Sequence, residues 1–229
     1  MINVIRYQDL GHANHGWLDA RHHFSFASYY DPKRMGFGTL RVINDDIIKA
    51  GAGFDIHPHR DMEIITYVRK GAISHKDSQG NKGRTEAGNV QVMSAGTGIY
   101  HSEFNLESED TKLYQIWIEP AKLGVEPRWD MHSFPKDTKN KLELLVSGDE
   151  SAPLQINQDA QIFAGRLEEG TELQHKLNKL GYVLVSEGEV TLNGKTLNAG
   201  DGAEVTDTQT LTFNAQTDAE ILVIEVPKN

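Results

Sequence analysis

The chain has 229 residues, no cysteine and a net charge of −10. The acidic balance argues against nucleic-acid binding through a positive face and against an electrostatic hold on anionic lipid. The lack of cysteine excludes disulfides, thiolate-bound zinc, iron–sulfur clusters and a thiol nucleophile. No apolar run reaches the ~18 residues that a bilayer span needs, and no apolar h-region follows a basic start, so a cytoplasmic protein is expected.

Short apolar or β-branched runs predict strands at Leu40 to Ile48, Met62 to Val68, Val90 to Met93, Leu113 to Ile118, Leu142 to Val146, Tyr182 to Val185 and Ile221 to Val226. Turn residues punctuate them at Asp77 to Asn81, Ala95 to Gly98, Asn193-Gly194 and Ala199 to Asp201. Asn193-Gly194 between two short β-branched runs predicts a tight hairpin. The only helix candidates are short pieces near Glu119 to Gly124 and Asn178 to Leu180. The expectation is an all-β sandwich or barrel. The order Tyr67-Val68, Gly71, strand, turn, strand, Ala87-Gly88 recurs as Tyr182-Val183, Gly188, strand, Asn193-Gly194, strand, Ala199-Gly200, which predicts two copies of one β unit. The polar stretch Phe134 to Asn140 places their boundary at about residue 135, giving units 1–135 and 136–229.

Histidine and carboxylates are the strong metal ligands left to this chain. In His57-Pro58-His59 the imidazoles are two residues apart, so on a strand they share a face. Pro58 gives no ladder hydrogen bond, which places this strand at an edge or mouth. Glu63 has the same parity and faces inward if the strand runs on unbroken. His101 and Glu103, inside a glycine-rich stretch, form a second same-face pair. Three imidazoles and a carboxylate suit Fe(II), Mn, Co, Ni, Cu or Zn, and leave coordination positions open for substrate or dioxygen. His12, His15, His22, His23, His75, His132 and His175 lack the paired spacing and are expected to be surface or hydrogen-bonded side chains. No nucleophile elbow, phosphate-binding loop or dinucleotide fingerprint is present.

Gly51, His57-x-His59, Glu63 and Gly71 resemble the first cupin motif, and Gly88, Gly98, His101 and Asn105 resemble the second. More narrowly, Phe24 to Pro32, Leu40 to Asp46, His57 to Glu63, Met93 to Glu103 and Tyr114 to Trp117 resemble the pirin family. That resemblance implies a bicupin: two small β-barrels facing each other, with few short helices and one metal in the N-terminal barrel. It implies His57, His59, His101 and Glu103 as metal ligands and Glu103 as the group that takes a proton in catalysis. Many other cupins use the carboxylate of the first motif, so Glu63 is the alternative ligand or a pocket group beside the metal. Aligning Gly71 with Gly188 sets Gln174 and Lys176 against His57 and His59, so the C-terminal barrel is expected to bind no metal.

Bacterial pirins imply quercetin 2,3-dioxygenase activity: a flavonol and dioxygen as substrates, carbon monoxide and a depside as products, and Fe(II) as the metal, with Ni, Mn, Co, Cu or Zn as alternatives. Phe54, Met93, Ile99 and Trp117 are candidates to line an aromatic pocket. The family also implies an alternative, a metal-dependent regulator that binds protein partners, and the cupin fold hosts other oxygenases and isomerases. A monomer is expected, with no direct nucleic-acid or membrane contact.

Overall fold

The computed structural model describes residues 1–228. The N-terminal half contains β1 (Ile2–Ile5), β2 (Gly11–Asn14), β3 (Leu18–His22), β4 (Leu40–Ile48), β5 (Gly53–His59), β6 (Glu63–Lys70), β7 (Ala72–Asp77), β8 (Lys82–Glu86), β9 (Asn89–Ser94), β10 (Ile99–Phe104), β11 (Thr111–Ile118) and β12 (Arg128–Ser133). The C-terminal half adds β13 (Glu143–Ser147), β14 (Leu154–Gln155), β15 (Gln161–Leu167), β16 (Glu172–Lys176), β17 (Leu180–Glu187), β18 (Glu189–Leu192), β19 (Lys195–Asn198), β20 (Gly202–Val205), β21 (Thr210–Ala215) and β22 (Ala219–Val226).

Each half pairs a seven-stranded sheet with a four-stranded one. The N-terminal orders are β12-β9-β6-β11-β4-β3-β2 and β5-β10-β7-β8; the C-terminal orders are β1-β20-β17-β22-β15-β13-β14 and β16-β21-β18-β19. The orders correspond strand for strand through most of each sheet, as the internal repeat requires. The tight turns behind Gly71 and Gly188 both need a left-handed residue, with φ of 73° and 76°. Asn193-Gly194 closes the β18–β19 hairpin with both residues at positive φ, the geometry that matches strand twist. β1 is chain-N-terminal yet pairs antiparallel with β20, filling the place that β12 takes beside β9. The unit expected over 1–135 therefore lends its first strand to the other half.

Two expectations need correction. Neither Glu119 to Gly124 nor Asn178 to Leu180 is helical; among the described residues the one helical element is a short 3-10 turn, Tyr7–Asp9. The strand carrying His57 does not run unbroken to Glu63. It turns at Arg60 to Met62, with Asp61 at a φ of 45°, and the turn resets the parity.

The two large sheets pack face to face. Ile43, Ile65, Val92, Tyr114 and Ile116 from one meet Leu184, Leu222, Ile224 and the fully buried Tyr182 from the other. The opposite face of the same strands fills each barrel, with Val68, Leu113 and Ile48 on one side and Val183, Ile221 and Val223 on the other. Burial on both faces explains why β22 reads as a nearly continuous apolar run. Each fully buried Ile, Leu or Val contributes ~1.5–3 kcal/mol.

Candidate metal centre

The N-terminal barrel carries a histidine cluster on its four-stranded sheet. β10 lies between β5 and β7; His101 is opposite His57 on one side and Asp77 on the other, and Glu103 is opposite His75. A bulge between His101 and Glu103 lets both side chains keep their inward aim while β5 shifts register. The rings of His57, His59 and His101 have centroids 4.4–4.9 Å apart. One ring nitrogen from each falls within 4.8 Å of the others, and the same holds for His75, His101 and a Glu103 oxygen. The two triplets share only His101, with His57 and His59 on one side of it and His75 and Glu103 on the other. The half-buried His57 and His59 stand at the cavity side, whereas His75, His101 and Glu103 are buried.

The hydrogen bonds assign the ring protons. His57 Nδ1 lies 2.7 Å from the Asp55 carbonyl, an obligate acceptor, so Nδ1 carries the proton and Nε2 the lone pair. His75 Nε2 donates to the Asp77 carboxylate at 2.9 Å, which leaves its Nδ1 as acceptor for His101 Nδ1 at 3.4 Å. His101 Nε2 is then also a lone pair, and it faces His57 Nε2 at 3.0 Å. Two lone pairs at that distance repel unless a cation or proton lies between them. Burial disfavours a proton on His101, which it lowers to about 2 with help from the charges of His57, His59 and His75, and on His59, which it lowers to about 4 with help from His57. Neutral, converging imidazoles beside a carboxylate fit a divalent transition metal. The Asp77–His75–His101 chain is the kind of outer support that fixes a ligating ring.

Glu103 accepts from Gln91 Nε2 and Gln115 Nε2, each at 2.6 Å, on different oxygens. Thr85 Oγ1 donates to Gln91 Oε1 and so fixes that amide. Burial pushes the Glu103 carboxyl up to about 7 against the lowering effect of these amides. Glu63 lies elsewhere. It accepts from Ser94 Oγ at 2.7 Å and from Asn157 Nδ2 at 3.0 Å, a residue of the C-terminal half, and its side chain joins the two halves.

A cavity of about 550 Å³ opens beside the cluster. Trp17 and Phe54 pack edge to face in its lining, and so do Phe26 and Trp117; Trp117 also meets the His59 ring edge-on. Phe54 and Trp117 therefore line the cavity as expected. Met93 and Ile99 do not; they are buried in a cluster with Ile64 and Ala95. Two of the histidines expected to be surface or hydrogen-bonded side chains are hydrogen-bonded and stand beside the cluster or its cavity: His75, bonded to Asp77 and stacked on Trp129 at 4.9 Å and 11°, and His22, bonded to Asn44 and buried on the cavity wall. His75-Lys76-Asp77 has the same two-residue spacing as His57-Pro58-His59, so its signal was present in the sequence. His175 instead pairs with Glu225 at 2.8 Å.

Residues 4–118 match the family model Pirin, and residues 144–226 match that of the quercetinase C-terminal cupin domain. A quercetin 2,3-dioxygenase of Escherichia coli K12 is 45% identical, with 99% of each chain covered. A pirin-like protein of Caulobacter vibrioides is 51% identical over 98% of this chain and 99% of its own. The crystal structure of the bacterial pirin YhhW from Escherichia coli in complex with nickel(II) superposes with a TM-score of 0.94, at 43% identity and full coverage of both chains. The lone-pair geometry in the first barrel, the duplicated cupin topology and these full-length likenesses agree: the chain belongs to the pirin family and is a bicupin.

Proposed function

We propose that this chain is a metal-dependent dioxygenase that opens the flavonol ring of quercetin-like substrates, with iron(II) held by His57, His59, His101 and Glu103. The observation that carries the metal centre is the convergence of the His57, His59 and His101 ring nitrogens, with the His57 and His101 Nε2 atoms 3.0 Å apart. The substrate class is supported by the name of the Escherichia coli relative and by a cavity whose size suits a drug-sized planar ligand.

A divalent ion at this site would supply Lewis-acid polarisation of the flavonol 3-oxygen. The chain's own groups supply the rest. Glu103, a buried carboxylate beside His101, is the base for the 3-hydroxyl proton. Gln91 and Gln115 hold its two oxygens in fixed positions, so the carboxylate does not turn away when its charge changes. Trp17 with Phe54 and Phe26 with Trp117 form two aromatic walls that favour a flat ligand and keep water from the reacting carbons. The flavonol and dioxygen together give the depside acid and carbon monoxide. The proton taken by Glu103 therefore returns to the product.

Aerobic incubation of iron-loaded protein with quercetin tests the reading. The expected result is metal-dependent loss of flavonol absorbance with release of carbon monoxide, absent in His57→Ala. A loss rate no greater than that of the His57→Ala control defeats it.

A further inference from the structure

The two halves provide an internal control on what the cavity is for. In the N-terminal sheet one register row runs Gln91, Thr66, Gln115, Asn44, His22 across β9, β6, β11, β4 and β3. The equivalent row in the C-terminal sheet runs Ala203, Val183, Val223, Phe163, Leu144 across β20, β17, β22, β15 and β13. Topology and register match while the chemistry is opposite. Packing a barrel therefore needs no polar row here; apolar side chains do it in the other half.

The Glu103 carboxylate accounts for only part of the polar row. Gln91 and Gln115 bind it, and Thr66 lies beside Gln91. Asn44 and His22 are farther along the sheet, and their one mutual bond, His22 Nδ1 to Asn44 Oδ1 at 2.8 Å, uses one polar atom of each. Asn44 Nδ2 and His22 Nε2 make no hydrogen bond among the described residues. Asp46, two residues along β4 and on the same face as Asn44, makes none either; it is 2% exposed and its Oδ1 is fully buried without a partner. All three residues line the cavity. Burial, with the nearby charges of Asp45 and Glu103, raises the Asp46 carboxyl well above the usual carboxylate range. An unsatisfied polar group at a buried position costs ~1–3 kcal/mol and is retained where a ligand completes it.

We propose that Asp46, Asn44 and His22 form a second polar pole of the cavity, a subsite that hydrogen-bonds a ring hydroxyl of a polyphenolic substrate whose 3-oxygen lies at the histidine pole. The assignment rests on the flavonol reading above and adds a selection rule to it. The metal end recognises any 3-hydroxyflavone, whereas the distal pole recognises further hydroxylation.

The test is anaerobic binding to the metal-loaded protein, read by quenching of tryptophan fluorescence, since Trp17 and Trp117 line the cavity. The two probes are quercetin and 3-hydroxyflavone, which lacks the additional ring hydroxyls. The wild type is expected to bind quercetin about tenfold more tightly, a difference of ~1.4 kcal/mol. Asp46→Leu, which removes the polar atoms at similar volume, is expected to reduce the preference to within about twofold while metal content and 3-hydroxyflavone affinity stay unchanged. Asp46→Asn, which can still donate and accept, is expected to keep most of it. His22→Phe, whose ring fits between Phe26 and Tyr29, provides a second removal should Asp46→Leu not fold. A preference that survives Asp46→Leu or His22→Phe overturns the subsite and leaves the flavonol reading standing. Equal affinity of the two probes for the wild type does the same. Failure of both probes to bind the wild type removes the flavonol reading, and the subsite falls with it.

Discussion

The histidine that the sequence reading passed over offers the sharpest test of the metal centre. His75 is not among the residues lining the cavity beside the cluster, yet it orients His101 by accepting from its Nδ1 at 3.4 Å while donating to Asp77 at 2.9 Å. In His75→Phe the stack on Trp129 is kept and both hydrogen bonds are lost. Asp77 keeps its bonds from the Gln79 and Asn81 backbone and the Asn81 side chain, so the β7–β8 turn remains built. His101 is left with a buried, unpaired N–H and no constraint on its tautomer. Removing such an outer partner costs ~10–100-fold in metal affinity, or ~1.4–2.7 kcal/mol. The assay is chelator competition for nickel(II) or iron(II) on the folded variant at neutral pH, with circular dichroism to confirm the fold. His75→Gln, whose Oε1 can accept from His101 Nδ1, is expected to recover affinity to within about threefold of wild type. A His75→Phe variant that binds metal as tightly as wild type, or no difference between the Phe and Gln variants, refutes the supporting chain.

The choice of carboxylate is tested by a pair of variants: Glu103→Gln loses metal and turnover, whereas Glu63→Gln keeps full metal content, because Glu63 binds Ser94 and Asn157 away from the cluster; elemental analysis of both proteins decides. Metal removal by a chelator lowers the melting temperature, since a ligand at a thousand times its Kd stabilises the folded chain by ~4 kcal/mol, and scanning calorimetry with and without metal measures it. Acid sensitivity follows from His23, which burial and the charges of Arg34 and Arg69 lower from 6.5 to about 3. Between those values the unfolded chain holds a proton that the folded chain does not, so stability is lost as the pH falls from 6.5, and the contribution is flat above it. Its Nδ1 shares a hydrogen bond with the Tyr182 hydroxyl at 2.9 Å, a bond His23→Gln can keep. Urea midpoints at pH 7 and pH 5 are expected to show wild type losing ~2 kcal/mol more than His23→Gln, and equal losses count against the buried neutral ring.

What the sequence revealed and what it hid divide along one physical line. The His57–His59 and His101–Glu103 pairs were legible because strand parity is local: two residues on the same strand share a face whatever else the fold does. The same rule misled at Glu63, where a left-handed Asp61 ends one strand and starts another. The repeat was legible because its turns need glycine, at Gly71 and Gly188, and backbone requirements leave a mark in the composition. The departure of β1 into the far sheet left none, since Ile2-Asn3-Val4-Ile5 reads as a strand beside any partner.

The remainder of the site is non-local. Thr66, Gln91 and Gln115 are unremarkable singly, and they become a carboxylate cradle only when β6, β9 and β11 align in register. Asn44 and His22 join the row through two further strand pairings. Hydrophobic alternation locates strands and their buried faces but does not say which residues stand side by side; register does, and register comes from the whole sheet. The duplication gives a way around this. Once Gly71 is set against Gly188, Thr66 faces Val183 in the alignment, a polar position in one barrel against an apolar one in the other. Both positions are buried, and both halves fold to the same strand order. A polar residue at a place where its own duplicate shows that an apolar one packs is retained at a cost, and at Thr66 that cost is offset by the cradle that Gln91 and Gln115 build around the Glu103 carboxylate.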